Sequence, residues 1–253
     1  MPRHSITRMR RETRRRMLTV ATVEHLTPRM LRIGFVSPEL ADFDSAAPDD
    51  HIKLIFPTGG DQADEKPCMR DFTPRAFDPA GRSLIVDFAL HEAGPATQWA
   101  AAAQVGDRLE IAGPRGSMII PDDFDWYLLI GDETALPAIG RRVEALRPGV
   151  PVTTAIVIAD KAERQIFSTR AHWTPLWAVR NGATGDDAAV LRAVLATHDL
   201  PPGEGFVWIA AEATVARSLR DYMTGERRHP PQWLKAAGHW KRGQADANER
   251  IED

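Results

Sequence analysis

Near Pro121 the chain changes its hydrophobic rhythm, and that change limits the folds open to it. Upstream, apolar residues come in short stretches broken by Pro, Gly, Asp or Thr: MLTVATVEHL, MLRIGFVS, HIKLIFP, SLIVDFALH and GDRLEIAG. In HIKLIFP, Ile52, Leu54 and Phe56 share one face while His51 and Lys53 share the other. Alternation of this kind marks strands with one face buried. Downstream, continuous apolar runs take over (WYLLIGDE, VTTAIVIAD, LWAVRNG, FVWIAAE), separated by TALPAIGRRVEALRP, LRAVLATHDL and TVARSLRDYMTGERR, which read as helices. Strands buried on both faces and alternating with helices belong to a parallel sheet covered on both sides. The expected fold class is two-domain β + α/β: an antiparallel β-barrel over residues 17–120, then an α/β domain with a parallel sheet over residues 121–253.

A length of 253 residues accommodates two such domains. No apolar run approaches the ~18–20 residues that span a bilayer, and the start lacks the apolar core of a secretory signal. A cytoplasmic protein with no membrane span is therefore expected. The one cysteine, Cys68, excludes an intramolecular disulfide and an iron–sulfur cluster held by this chain alone. A net charge of −3 gives no general attraction to nucleic acid. The first 16 residues hold seven arginines and one acid, Glu12. With almost nothing apolar to bury, they read as a disordered, dispensable basic N-terminus.

Three motifs carry chemistry. In Arg70-Asp71-Phe72-Thr73-Pro74-Arg75, two guanidinium forks suited to phosphate flank an aromatic face and a hydroxyl. Pro74 should break the strand ladder there. In the segment from His91 to Trp99, a strand runs into Gly94-Pro95 and a helix, whose first amides, near Ala96 and Thr97, suit a phosphate. Gly131-Asp132-Glu133-Thr134-Ala135 occupies the strand-to-helix turn of the first α/β unit, where such domains bind ligands. It is not a G-x-G-x-x-G loop, two acids stand in it, and Thr134 reads equally as a helix cap. Each motif alone also reads as ordinary surface or core.

In order, the segments TPRMLRI, DDHIKLIFP, RDFTPR, VDFALHEAGPATQWA, GDRLEIAGPRGS, LLIGDETALPAIGRRVE, VWIAAEA and GHWKRG resemble the siderophore-interacting protein family of flavin-dependent ferric-siderophore reductases, within the ferredoxin-reductase-like superfamily. The resemblance covers about residues 17–243. It implies a six-stranded antiparallel barrel that holds FAD and a Rossmann-like C-terminal domain that receives NADPH or NADH. Arg70 would meet the FAD pyrophosphate, Phe72 would lie against the flavin, Thr73 would sit near its N5, and Arg75 beside the flavin or its phosphates. Asp87, His91, Gly94, Ala96, Thr97 and Trp99 would complete the FAD site. Asp132, Thr134, Ala135 and Glu212 would face the nicotinamide cofactor. Phe72 stands where tyrosine is usual, Ala211 where glycine is, and His239 where tyrosine precedes Trp240.

A monomer is expected, and the resemblance further implies that its partner is a ferric siderophore, an often anionic chelate. Lys53, Arg115, Lys241 and Arg242 are its candidate ligands, the last two in a C-terminal segment returning to the flavin site. No catalytic side chain is required, because the cofactor carries the redox step. The alternatives are a general NAD(P)H–flavin oxidoreductase with another acceptor and a non-enzymatic siderophore-binding protein. Asp160 precedes Lys161 and Arg164 after the second α/β strand, so the residues leave NADH and NADPH open.

Overall fold

The computed structural model describes residues 3–57, 67–90, 94–180, 185–242 and 249–251. The chain divides into two compact units: Ile6–Ile120, and Pro121–Asp253 together with Met1–Ser5. The first contains strands β1 (Thr7–Arg10), β2 (Arg15–Thr27), β3 (Met30–Val36), β4 (Ile52–Phe56), β5 (Cys68–Phe72), β6 (Pro74–Asp78) and β7 (Ser83–Ala89). Helix α1 (Pro95–Ala102) and strands β8 (Arg108–Ala112) and β9 (Gly116–Ile119) follow.

Among the described residues, seven of these strands form one sheet in the order β5-β4-β8-β2-β3-β7-β6. Every pairing is antiparallel. Laid flat, the outer strands of such a sheet would stand about 29 Å apart. Yet β5 and β6, its two edges, are separated in sequence by Thr73 alone, and two residues of chain span about 7 Å at most. The sheet must therefore curl until its edges meet, and Thr73 sits on the seam of an open barrel. The six strands expected become seven because RDFTPRAF divides at Thr73. Pro74 is tolerated because β6 is an edge strand.

Period-two alternation fills the inside. Ile33 and Phe35 on β3, Ile52 and Leu54 on β4, Leu84 and Val86 on β7, and Ile111 on β8 are fully buried. Each such side chain is worth about 1.5–3 kcal/mol of burial.

The expectation of a disordered N-terminus is corrected. β1 pairs with β9, Thr7 opposite Ile119, and β2 begins at Arg15. Arg16 is 6% exposed. It donates to Glu39 O at 2.9 Å and Gly113 O at 3.2 Å, and pairs with Asp42 at 3.2 Å. His4, 3% exposed, belongs to the other unit and stacks on Phe124 at 3.7 Å. These arginines are ordered by partners distant in sequence, which composition does not reveal.

The α/β unit holds β10 (Trp126–Gly131), α2 (Leu136–Ala145), β11 (Pro151–Ile158), β12 (His172–Val179), α3 (Asp187–Ala196), β13 (Gly205–Glu212), α4 (Ala213–Asp221), β14 (Leu234–Trp240) and β15 (Glu249–Ile251). Its sheet runs β12-β11-β10-β13-β14-β15. The first five strands are parallel, and β15 is antiparallel to β14. Strands are added on one side of β10 and then on the other, so the topological switch point lies between β10 and β13. The HWKRG segment, expected to return toward a cofactor, is up to Trp240 the fifth parallel strand. No helix among the described residues is long and apolar enough to cross a membrane.

Candidate functional site

Each unit carries a candidate region. In the barrel it is built around the seam. Phe72 is half-buried at the end of β5, its ring 4.6 Å from that of Phe88 and 6.3 Å from Phe56. Trp99 on α1 leans on the same pair, 6.1 Å from Phe88 and 5.7 Å from Phe56. Two core phenylalanines thus hold the seam and the helix together, with Phe72 and Trp99 both half-buried.

Arg75 is the extra residue where the β6–β7 register shifts between Pro74 and Ala76, and a bulge of this kind re-aims the side chain it carries. Arg75 Nε lies 3.7 Å from Asp87 Oδ2. Asp87, 4% exposed, also takes a two-pronged bond from Arg32: Nε to Oδ1 at 2.7 Å and Nη2 to Oδ2 at 2.8 Å. Asp87 is therefore the brace for two guanidinium groups. Arg32 was not singled out from sequence; its partner stands 55 positions away. Arg70 is half-buried and donates to Met69 O at 2.8 Å.

Helix α1 starts at Gly94 with no side-chain cap and no acid in its first turn. Pro95 has no N–H, and Gln98 N makes the bond to Gly94 O at 2.9 Å. The amides of Ala96 and Thr97 lie in the turn where a helix carries its partial positive charge. His91 lies outside the described residues.

These features suit FAD. The two half-buried aromatics match a flat heterocycle, and Arg70, Arg75 and the side-chain-free start of α1 match a pyrophosphate.

In the α/β unit the expected residues meet at the switch point but face inward. Asp132 is 1% exposed. Its Oδ1 accepts from Thr134 N at 2.9 Å and Thr134 Oγ1 at 2.6 Å. Its Oδ2 accepts from Glu212 N at 3.1 Å and Trp240 Nε1 at 2.9 Å. Glu212 caps α4, accepting from Thr214 N at 2.7 Å, Val215 N at 3.2 Å and the Thr214 hydroxyl, and its other oxygen accepts from Arg242 N at 3.3 Å. Burial alone would raise the Glu212 carboxyl, but the bonds from Thr214, Arg242 and Val215 outweigh it and hold the group below the ordinary range. Ala135 is fully buried; a Cβ on Gly131 would come within 2.6 Å of its own. The two acids are therefore braces of the turn.

A link that sequence reasoning missed lies beside them. Glu133 Oε1 accepts from Ala159 N and from Arg180 Nη1, both at 2.6 Å. Arg180 Nε also grips Asp187 at 2.9 Å. This chain ties the carboxyl ends of β10, β11 and β12.

The four candidate substrate cations fall in both units. Lys53 Nζ is 2.9 Å from Asp71 Oδ2, its register partner on β5, so a chelate there would meet an ion pair. Arg115 is exposed between β8 and β9. Lys241 and Arg242 follow β14 in the α/β unit, Arg242 exposed.

The family model described as Siderophore-interacting protein matches residues 124–243. That described as Siderophore-interacting FAD-binding domain matches residues 19–64 and 59–118. The NADPH-dependent ferric-chelate reductase of Escherichia coli is 32% identical over 92% of this chain and 95% of its own. Among solved structures, a siderophore utilization protein from T. fusca is similar with a TM-score of 0.87 and 34% identity, over 96% of this chain and 98% of that one. The siderophore-interacting protein SipS from Aeromonas hydrophila gives 0.80 and 31%, over 92% and 93%.

Proposed function

The chain belongs to the siderophore-interacting protein family, and on that premise we propose that it is an FAD-dependent ferric-siderophore reductase that draws on NADPH and releases iron in the cytoplasm. The observation that carries this reading is the barrel seam, where Arg70, Phe72, Thr73 and Arg75 fall within six residues of one another beside an α1 start with no side-chain cap.

The chemistry FAD supplies when bound is acceptance of a hydride from a nicotinamide and donation of single electrons to Fe(III). The protein's residues bind and orient. Arg70 and Arg75 hold phosphate oxygens through charge-assisted bonds, with Asp87 fixing the direction of Arg75. The Ala96 and Thr97 amides complete the phosphate cradle. Phe72 and Trp99 offer ring faces, and the Thr73 hydroxyl offers one hydrogen bond to the heterocycle edge. At the switch point the Asp132 and Glu212 braces shape the backbone that receives the nicotinamide cofactor. Within the barrel unit the exposed Arg115 is the stronger candidate to attract an anionic ferric chelate, since Lys53 is paired with Asp71; within the α/β unit the candidates are Lys241 and Arg242. Siderophore oxygens hold Fe(III) far better than the larger, less charged Fe(II), so reduction loosens the substrate without a protein acid or base. The protein acts as a monomer and carries no iron–sulfur cluster of its own; its single cysteine supports the latter.

Reconstitution tests the reading. Protein incubated with FAD and desalted should stay yellow, and anaerobic NADPH should bleach it. A protein that stays colourless would overturn it.

A further inference from the structure

The barrel unit holds a cavity of about 540 Å³, within the roughly 300–1,000 Å³ of small-molecule pockets. Arg11, Arg14 and Arg16 line it, with Asp42, Asp44 and the Gly113-Pro114 link between β8 and β9. None of these residues belongs to the seam or to α1. The arginines come from the segment that joins β1 to β2, and the fold pins that segment at both ends. Arg11 N donates to Arg115 O at 2.8 Å, and Gly113 N donates to Arg14 O at 3.1 Å. Asp42 and Asp44 flank Phe43, which is 2% exposed and anchors them. The Arg16 guanidinium carbon lies 5.5 Å from the centre of the Phe43 ring. The charged groups thus sit on a rigid frame, which lowers the ordering cost of binding.

The two aspartates are already engaged. Asp42 accepts from Arg14 Nη1 through Oδ2 and from Arg16 Nη2 through Oδ1, the latter at 3.2 Å. Asp44 Oδ2 stands 2.5 Å from Arg11 Nη2. Two of the three guanidinium groups keep donors to offer. Arg16 directs its other donors to Glu39 O and Gly113 O. Arg14, with its side chain 57% exposed, bonds only to Asp42 among the described residues. Arg11 Nε and Nη2 are buried and have no hydrogen-bond acceptor among the described residues. A buried N–H without an acceptor is costly, so an oxygen belongs beside Arg11. Glu12 also lines the cavity, but it is exposed and leaves those donors unmet. Arg8 and Arg10 on β1 are exposed and form no ion pair among the described residues, so their charge adds to that of the segment.

We propose that this cavity binds a small polyanion with two oxyanion groups, one held by Arg11 and the other by Arg14. Carboxylate and phosphate both match the planar fork of a guanidinium, so a polycarboxylate and a phosphate compound share the required chemistry. Asp42 and Asp44 aim the two forks. Arg16 ties Asp42 to the Gly113 carbonyl and so keeps the wall in place. None of this requires a flavin or a nicotinamide.

The full chain, with FAD in excess to occupy the flavin's phosphate region, is titrated calorimetrically with citrate, with pyrophosphate and with acetate. At least one of the two polyanions should bind at least tenfold more tightly than acetate, and the one that binds identifies the source. Added salt should weaken that binding, because screened charges attract less. Arg11→Gln and Arg14→Gln should each weaken it at least tenfold. Arg14 is exposed enough that its variant should keep the wild-type thermal midpoint without ligand, which separates lost binding from lost folding. Neither polyanion binding better than acetate, or tight binding that survives in the Arg14→Gln protein, would overturn the site.

Discussion

Trp240 Nε1 donates to Asp132 Oδ2 over 2.9 Å, tying the end of β14 to the end of β10 across 108 positions. The same oxygen accepts from Glu212 N at 3.1 Å, so one buried carboxylate fastens three strand ends around the switch point. Trp240→Phe keeps a ring and removes the donor. A bond to a charged acceptor is worth about 1.5–3 kcal/mol, and a chain of this size loses about 2–4 °C per kcal/mol. Thermal denaturation should show a midpoint lower by several degrees; an unchanged midpoint would mean the bond contributes nothing.

Arg70→Ala should weaken FAD retention by about one to two decades, since each charge-assisted phosphate contact contributes roughly 1.5–3 kcal/mol. Fluorescence titration of the flavin-free protein reads this directly. Retention equal to wild type would remove Arg70 from the site.

Asp87→Asn should act on both folding and flavin. The change leaves the Arg32 and Arg75 guanidinium groups, 24% and 11% exposed, without their shared countercharge. Breaking a buried pair this way costs about 3–5 kcal/mol. Urea unfolding should show the loss, and FAD affinity should fall with it. A variant as stable as wild type would show that Asp87 is not the brace described.

Much of this organisation was legible in the sequence. Period-two alternation in HIKLIFP and SLIVDFALH and continuous runs such as WYLLIG identified the two sheets, and Gly94-Pro95 identified the start of α1. What escaped depends on partners remote in sequence. Arg32 finds Asp87 through strand register. Arg180 reaches Glu133, 47 positions back, because parallel strands bring their carboxyl ends level. The arginine-rich start looked solvated because charge composition is silent about Asp42, Asp125 and Glu204, which pair with Arg16 and Arg3.

The N-terminus supplies a test opposite in sign to its composition. A chain starting at Met17 loses β1, the buried Arg16, the stack of His4 on Phe124 and its edge-on contact with Trp233. It should unfold at a markedly lower urea concentration than the full chain. His4→Ala alone should reproduce part of the loss, about 2 kcal/mol for a buried ring. Equal midpoints for all three proteins would show that these contacts carry no weight.

Acid should destabilise the α/β unit in two stages. Burial lowers the His229 pKa from its ordinary value of 6.5, so its contribution is whole above 6.5 and is lost as pH falls through the lower folded value. Glu212, held below its ordinary 4.5, contributes stability above 4.5 that is lost as pH falls through its own folded value. Urea midpoints from pH 8 to pH 3 should fall first below 6.5 and again below 4.5. His229→Phe should remove the first decline and Glu212→Gln should reduce the second.

The most direct measurement of the central claim follows iron. Anaerobic FAD-loaded protein is mixed with NADPH and a ferric siderophore, with a ferrous-selective chromophoric chelator present. The expected result is Fe(II) appearing at a rate proportional to enzyme, with NADPH consumed in a 1:2 ratio to iron, and no Fe(II) when FAD is omitted. Flavin that bleaches with NADPH while the ferric siderophore stays unreduced would contradict the account.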